Sequence, residues 1–304
     1  MYSKHPRETS RPLTPSLTLP LAGGWILFGF LPLRGRGKGC QQLVLSLIML
    51  AVNACSSPAI RFDTEAAHLG YTRTVIRGTE FLHVAYLRSK QQAKETVHVY
   101  LEGDGLPWIN HSFVARDPTP QDALMLRLMK RDSAPSILLG RPCYHGLSDT
   151  PPCSPIFWIQ ARYSEPVVAS MAAALDRLLG VTHKHGMVFL GYSGGGVLAM
   201  LLAERFPSSL GLVTIAANLE IAAWTRYHGY TELTGSLNPA ERPPLRPTIV
   251  QLHLAGAQDK NVPPDLIYPV IARQRHAQFY LLENYDHRCC WEAIWPLILS
   301  RIRG

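Results

Sequence analysis

The sequence predicts an α/β fold: a mostly parallel twisted sheet with helices on both faces, opened by an antiparallel hairpin. Three observations point there. From Tyr71 onward, short apolar runs alternate with segments of helical period, the pattern of strands joined by helices. The first two runs flank Arg77-Gly78-Thr79 and read as a hairpin. The run Met187-Val188-Phe189-Leu190 stops at Gly191, and Tyr192-Ser193-Gly194-Gly195-Gly196 leads into a stretch with helical spacing.

Each element follows from its pattern. Tyr71 to Val75 and Glu80 to Leu87 alternate or run apolar and supply the hairpin strands. Thr96 to Leu101 is a buried strand ending in Glu102-Gly103-Asp104-Gly105. Asp122 to Arg131 carries Leu124, Met125, Leu128 and Met129 on one face and predicts a helix. Ser136 to Leu139 is a short strand, and 140–163 is a loop rich in Pro, Gly and Cys. Glu165 to Leu179 is a helix with Val168, Met171, Ala172 and Leu175 along one face. The strand before Ser193 and a helix through Phe206 come next. Leu210 to Ala216 is a strand, 217–247 is irregular, and Thr248 to Leu254 is a strand leading to Asp259. Pro264 to Gln274 is a helix, Gln278 to Leu282 a strand leading to His287, and Trp291 to Arg303 the last helix. No internal repeat is visible.

Gly-x-Ser-x-Gly between a strand and a helix has the form of a nucleophile elbow. The chain must reverse within a few residues and hold the serine in a strained conformation at the tip. Gly191 and Gly195 leave the room this needs. The helix that follows points its free N–H groups back toward the serine, where an oxyanion would form.

Gly103-Asp104-Gly105, Ser193, Asp259 and His287 each lie just past the end of a predicted strand. A parallel sheet gathers such positions at one edge, where ligands bind. With the order Ser193…Asp259…His287, these residues resemble the α/β-hydrolase superfamily from about Thr72 to the end. More closely, the chain resembles a set of bacterial lipoprotein α/β-hydrolases. The shared-looking segments are Gly140-Arg141-Pro142-Cys143-Tyr144, Ala161-Arg162-Tyr163-Ser164, Ala217-Asn218-Leu219-Glu220 with Trp224, Ser236-Leu237-Asn238-Pro239, and Asp286-His287-Arg288-Cys289-Cys290-Trp291.

The resemblance implies a serine hydrolase acting on a small-molecule acyl ester or amide, without metal or other cofactor. Ser193 would be the nucleophile, since a hydroxyl attacks only when a base takes its proton. His287 would be that base, and Asp259 would fix its tautomer. Glu220 is the rival acid, while Asp286 adjoins His287 too closely to face the same ring. The oxyanion hole would take the N–H of Gly194 and a second from Gly105 or Leu106. The loop reads Glu-Gly-Asp-Gly where many lipases have His-Gly-Gly-Gly, which leaves the second donor open; a carboxylate beside an oxyanion is unfavourable unless it points away, so a structural turn role is expected for Asp104. Residues 217–247 occupy the place of a lid, and Trp224, Tyr227, His228 and Tyr230 are candidate pocket residues. Trp158 in the 141–160 loop is a candidate for another wall. No long apolar lid is present, which favours small or medium acyl esters over triglycerides.

Residues 1–57 are expected to be a leader outside the fold, leaving 58–304 as the hydrolase domain. Arg34, Arg36 and Lys38 precede the apolar run Leu43 to Val52, and Asn53-Ala54-Cys55-Ser56 follows. This is a secretory signal pattern. The cysteine after Ala54 resembles the lipoprotein type, in which Cys55 carries the lipid and Ser56 directs the protein to the outer membrane. The apolar run is short for a membrane span. A second, broken run from Leu21 to Leu33 makes a translation start near Leu31 to Arg36 the expectation.

The net charge of +8 is concentrated at the N-terminus. The first 54 residues hold six basic residues against Glu8, which leaves 24 basic and 21 acidic residues elsewhere. Without a basic tract interleaved with aromatics, nucleic acid is not an expected partner. Cys143, Cys153, Cys289 and Cys290 remain after the leader, an even number that allows disulfides in an exported protein. Cys143–Cys153 is the preferred pair, and adjacent Cys289 and Cys290 are expected to pair poorly. Zinc is not called for, because no spacing matches a metal site.

Overall fold

The computed structural model describes residues 57–88, 96–110, 112–180 and 186–302. The expected leader, with Cys40 and the lipidation candidate Cys55, lies outside the described residues.

In chain order the elements are α1 (Pro58–His68), β1 (Thr72–Arg77), β2 (Leu82–Leu87), β3 (Val97–Leu101), β4 (Trp108–Ile109), β5 (Phe113–Val114) and α2 (Leu124–Lys130). Then come β6 (Ser136–Leu139), α3 (Glu165–Leu179), β7 (Met187–Tyr192), α4 (Gly194–Arg205), β8 (Ser209–Ile215) and α5 (Ile221–His228). The last four are β9 (Val250–Gly256), α6 (Pro264–Ala272), β10 (Ala277–Leu282) and α7 (Trp291–Ile302).

Eight strands form one sheet in the order β1-β2-β6-β3-β7-β8-β9-β10. β2 pairs antiparallel with β1 and with β6, and every other pairing is parallel. The predicted fold class is therefore the observed one. From β3 the chain reaches β6 on one side and β7 on the other, so the strand order reverses between β3 and β7. In open α/β sheets that crevice is where ligands bind.

Side-chain alternation along the strands divides the core. On one face Val97, Val99, Leu101 and Phe189 pack with α3, α4 and α6. On the other, Tyr100, Val188 and Leu190 pack with α1, α2 and α7. Strands buried on both faces read as continuous apolar runs, as in β3 and β7.

Four elements depart from the sequence reading. α1 lies immediately beyond the expected leader: Ser57 accepts the Ile60 N–H, Pro58 opens the first turn, and Phe62 and Ala66 are buried. Within 217–247, α5 forms because Glu220 accepts the Ala223 N–H and Gly229 closes the helix at φ 66°. β4 and β5 form a separate two-stranded ribbon directly after the β3 loop. No helix among the described residues is long and apolar enough to cross a membrane.

Cys143 and Cys153 are joined by a disulfide, as preferred from the sequence. Cys289 and Cys290 are adjacent across a cis peptide just after His287.

Candidate active site

Ser193 sits between β7 and α4 with φ 51° and ψ −124°, a conformation that costs free energy for any residue with a Cβ. The surroundings enforce it. A Cβ on Gly191 would lie 2.2 Å from the Gly195 carbonyl oxygen, and one on Gly195 would lie 2.3 Å from the Leu101 oxygen. Glycine at both positions lets the strand turn into the helix against β3. The Ser193 N–H donates to the Ile215 carbonyl at 2.8 Å and fixes the turn to β8.

His287 follows β10, and its Nε2 lies 3.1 Å from Ser193 Oγ. Its Nδ1 lies 2.8 Å from Asp259 Oδ2. With Nδ1–H donating to the carboxylate, Nε2 is left as the acceptor for the serine hydroxyl. The His287 carbonyl accepts from Tyr192 Oη and Trp291 Nε1, each at 3.0 Å. Asp286 accepts the N–H groups of Arg288 and Cys289 at 2.7 Å and shapes the turn, as an adjacent residue that does not face the ring can.

Asp259 is buried and follows β9. Its Oδ1 accepts the N–H groups of Asn261 and Val262, both at 2.8 Å, leaving Oδ2 for the imidazole. The two loops are stitched together, because the Gln258 N–H donates to the Tyr285 carbonyl at 2.9 Å. Glu220 is occupied elsewhere. It accepts from the Ala223 N–H at 2.6 Å and Asn238 Nδ2 at 2.8 Å, which makes it a helix cap.

The β3 loop reaches over the elbow. A Cβ on Gly103 would lie 3.5 Å from Ser193 Cβ. Leu106 does not suit the oxyanion role expected of it, because its N–H donates to the Pro118 carbonyl at 3.0 Å. Gly105, at φ +67°, has an N–H without a hydrogen-bond partner among the described residues, as has Asp104. Gly194 opens α4, where backbone N–H groups have no partner within the helix.

Asp104 has far more than a turn role. Its carboxylate accepts from Arg141 at 2.8 Å, Arg162 at 2.8 Å, and Tyr163 Oη at 2.6 Å. All three partners are buried. Burial alone would raise the Asp104 pKa, but the Arg162 and Arg141 guanidiniums and the Tyr163 hydroxyl hold it down to about 2. A Cβ on Gly194 would lie 1.8 Å from Asp104 Oδ1. The clamp therefore lies directly against the residue after Ser193. Two arginines and one carboxylate leave one net positive charge there. Sequence reading missed this cluster, although both arginines stand in segments that carry the family resemblance.

Neighbouring Glu102 has the opposite environment. Burial pushes its carboxyl up to about 8, only partly opposed by the Met125 N–H that donates to Oε1 at 2.8 Å.

The candidate pocket residues lie in different surroundings. Trp158 is buried in a satellite cluster with Phe81, Cys143 and Tyr144, where it packs against the disulfide loop. Trp224 Nε1 and His228 Nε2 each lie within 2.8 Å of the Asn261 carbonyl oxygen. They brace the loop that carries Asp259, and His228 also stacks on Tyr230. Tyr227 is exposed. Among the described residues no three His, Cys, Asp or Glu side chains come together as a metal-binding group.

The chain matches no protein-family model. No curated protein matches it either. Solved structures do resemble it. A membrane phospholipase A, described as a bacterial virulence factor, aligns with TM-score 0.54 and 15% identity over 88% of this chain and 99% of its own. A putative hydrolase from Agrobacterium vitis S4 has TM-score 0.54 and 15% identity, over 77% of this chain and 98% of that one. An esterase from Pyrococcus furiosus has TM-score 0.50 and 10% identity, over 78% and 91%. At these identities the likeness is one of fold, and the fold is that of α/β-hydrolases.

Proposed function

We propose that the chain is a serine hydrolase that cleaves a carboxylic ester, or an amide by the same chemistry. One observation carries this reading: the hydrogen-bonded series Ser193–His287–Asp259, with links of 3.1 and 2.8 Å. His287 Nε2 takes the hydroxyl proton as Ser193 Oγ bonds to the acyl carbon. The carbonyl electron pair moves onto oxygen, toward the N–H of Gly194 and that of Asp104 or Gly105. The Arg141 and Arg162 guanidiniums offset the Asp104 carboxylate that lies beside Gly194. Collapse expels the alcohol, which receives the proton from His287, and leaves an acyl-enzyme. Water then repeats the sequence and releases the acid.

We further propose that Cys55 is lipidated and holds the domain on the periplasmic side of a bacterial envelope membrane, the outer membrane by the Ser56 criterion. The Cys143–Cys153 disulfide suits that oxidising compartment.

A fluorophosphonate probe tests the hydrolase reading on the full chain. Labelling of the wild type and none of Ser193→Ala is the expected result. A folded wild type that takes no label, or a mutant that labels equally, overturns it.

A further inference from the structure

The β4–β5 ribbon, on the loop that follows β3, exposes apolar side chains. Phe113 is 69% exposed, Ile109 45%, Val114 40% and Trp108 37%. Register explains why these residues matter together. Trp108 stands opposite Val114, and Ile109 opposite Phe113. Directly opposed residues share a face, and successive residues alternate between faces. One pair therefore lies on each face, and both are exposed. A two-stranded ribbon alone is marginally stable in water, and this one has apolar side chains open to solvent on both faces. Contiguous apolar patches of this kind mark interaction surfaces, unlike singly scattered residues.

The ribbon is tied to the site and to the start of the domain. It leaves the β3 loop directly after Gly105, and its base closes through Leu106 N–H to the Pro118 carbonyl and Ala115 N–H to the Pro107 carbonyl, at 3.0 and 2.9 Å. Three residues after Val114, Asp117 Oδ2 accepts the Ala59 N–H at 3.0 Å. The first turn of α1 is thus fastened beside the ribbon. The chain outside the described fold ends at Ser56, and it carries the apolar run Leu43 to Val52 and Cys55.

We propose that the β4–β5 ribbon docks into the lipid bilayer that a lipid on Cys55 would enter, and that the ester cleaved is an acyl ester of a membrane lipid. The substrate part rests on the serine-hydrolase reading; the docking part does not. Trp108 takes the headgroup level, where its amphipathic ring is favoured, and Phe113 and Ile109 enter the acyl boundary. The ribbon then brings the loop that carries Gly105, next to the elbow, to the lipid. The apolar surface that 217–247 does not supply as a long lid is supplied here.

Two measurements on the full chain test this, using vesicles of phosphatidylethanolamine and phosphatidylglycerol. In the first, brominated acyl chains quench tryptophan emission. The wild type is expected to lose more emission than Trp108→Phe, because Trp108 contacts lipid. Equal losses overturn the docking, as does an Ile109→Ser/Phe113→Ser variant that keeps the full wild-type quenching and instead shifts the oligomeric state, which would assign the ribbon to a second copy of the chain.

In the second, that double variant is assayed on vesicle phospholipid and on a soluble short-chain ester. Hydrolysis of vesicle lipid is expected to fall at least about tenfold, with soluble-ester turnover kept. Loss on both esters alike, or on neither, overturns the assignment of substrate class. A wild type that turns over neither ester would refute the hydrolase reading, and with it the substrate class; quenching would still decide the docking.

Discussion

Asp259 divides its carboxylate between two tasks: Oδ1 closes its own turn through Asn261 and Val262, and Oδ2 holds His287 Nδ1 at 2.8 Å. An amide would keep the turn oxygen and present a donor to the ring. Asp259→Asn is therefore expected to fold normally and lose turnover by about 10⁴-fold, through the wrong imidazole tautomer. Glu220→Gln, in contrast, is expected to keep activity and lose up to about 1 kcal/mol of stability as a weakened helix cap. Steady-state kinetics and urea melts on both variants separate the two carboxylates.

Among the described residues, Asp104 is the only acidic group paired with the Arg141 and Arg162 guanidiniums. Replacing it with Asn leaves two buried positive charges facing each other. Removing one partner from such a pair costs about 3–5 kcal/mol. Denaturant unfolding of Asp104→Asn should show a loss of that order. A loss below about 1 kcal/mol would mean the clamp is dispensable to the fold.

Glu102 should make the domain less stable as pH rises. Its folded pKa of about 8 exceeds the unfolded value of about 4.3. Between those values the native state holds a proton that the unfolded state has released, so stability falls by up to about 1.4 kcal/mol per pH unit. The contribution is complete below about pH 4 and is lost as pH climbs to about 8. Glu102→Gln retains an acceptor for the Met125 N–H and should flatten this dependence, with the variant gaining on the wild type toward pH 8. Parallel slopes in urea melts from pH 5 to 8 would contradict it.

The Cys143–Cys153 bridge closes a loop with a sequence separation of 10. Chain entropy assigns such a loop about 3 kcal/mol. Cys143→Ser/Cys153→Ser is expected to lose that amount in unfolding experiments, and reductant should reproduce much of the effect in the wild type.

Much of the architecture could be read before any coordinates were known. The strand at Ser136–Leu139 and the helix at Glu165–Leu179 match to the residue, because apolar periodicity and turn residues agree there. Ser193, Asp259 and His287 were found because strand ends collect at one edge of a parallel sheet. What escaped had no periodic signal or no local partner. β4 and β5 have two residues each, too few for alternation to register. α1 was overlooked beside the leader, although Ser57 followed by Pro58 is a helix start signal. The clamp on Asp104 could not be seen locally, since its arginines lie 37 and 58 residues away. Charge argues against Asp104 near an oxyanion, and the sequence gives no sign of the two guanidiniums that neutralise it.

The fastening of Ala59 to Asp117 also sets the length of a leash. α1 starts at Pro58, three residues beyond Cys55, and a chain of that length spans at most about 10 Å. Were Cys55 lipidated as proposed, the domain would have almost no slack. It would neither swing to a second membrane nor sample the surrounding fluid; it would slide within one leaflet, and its encounters with substrate would become a two-dimensional search.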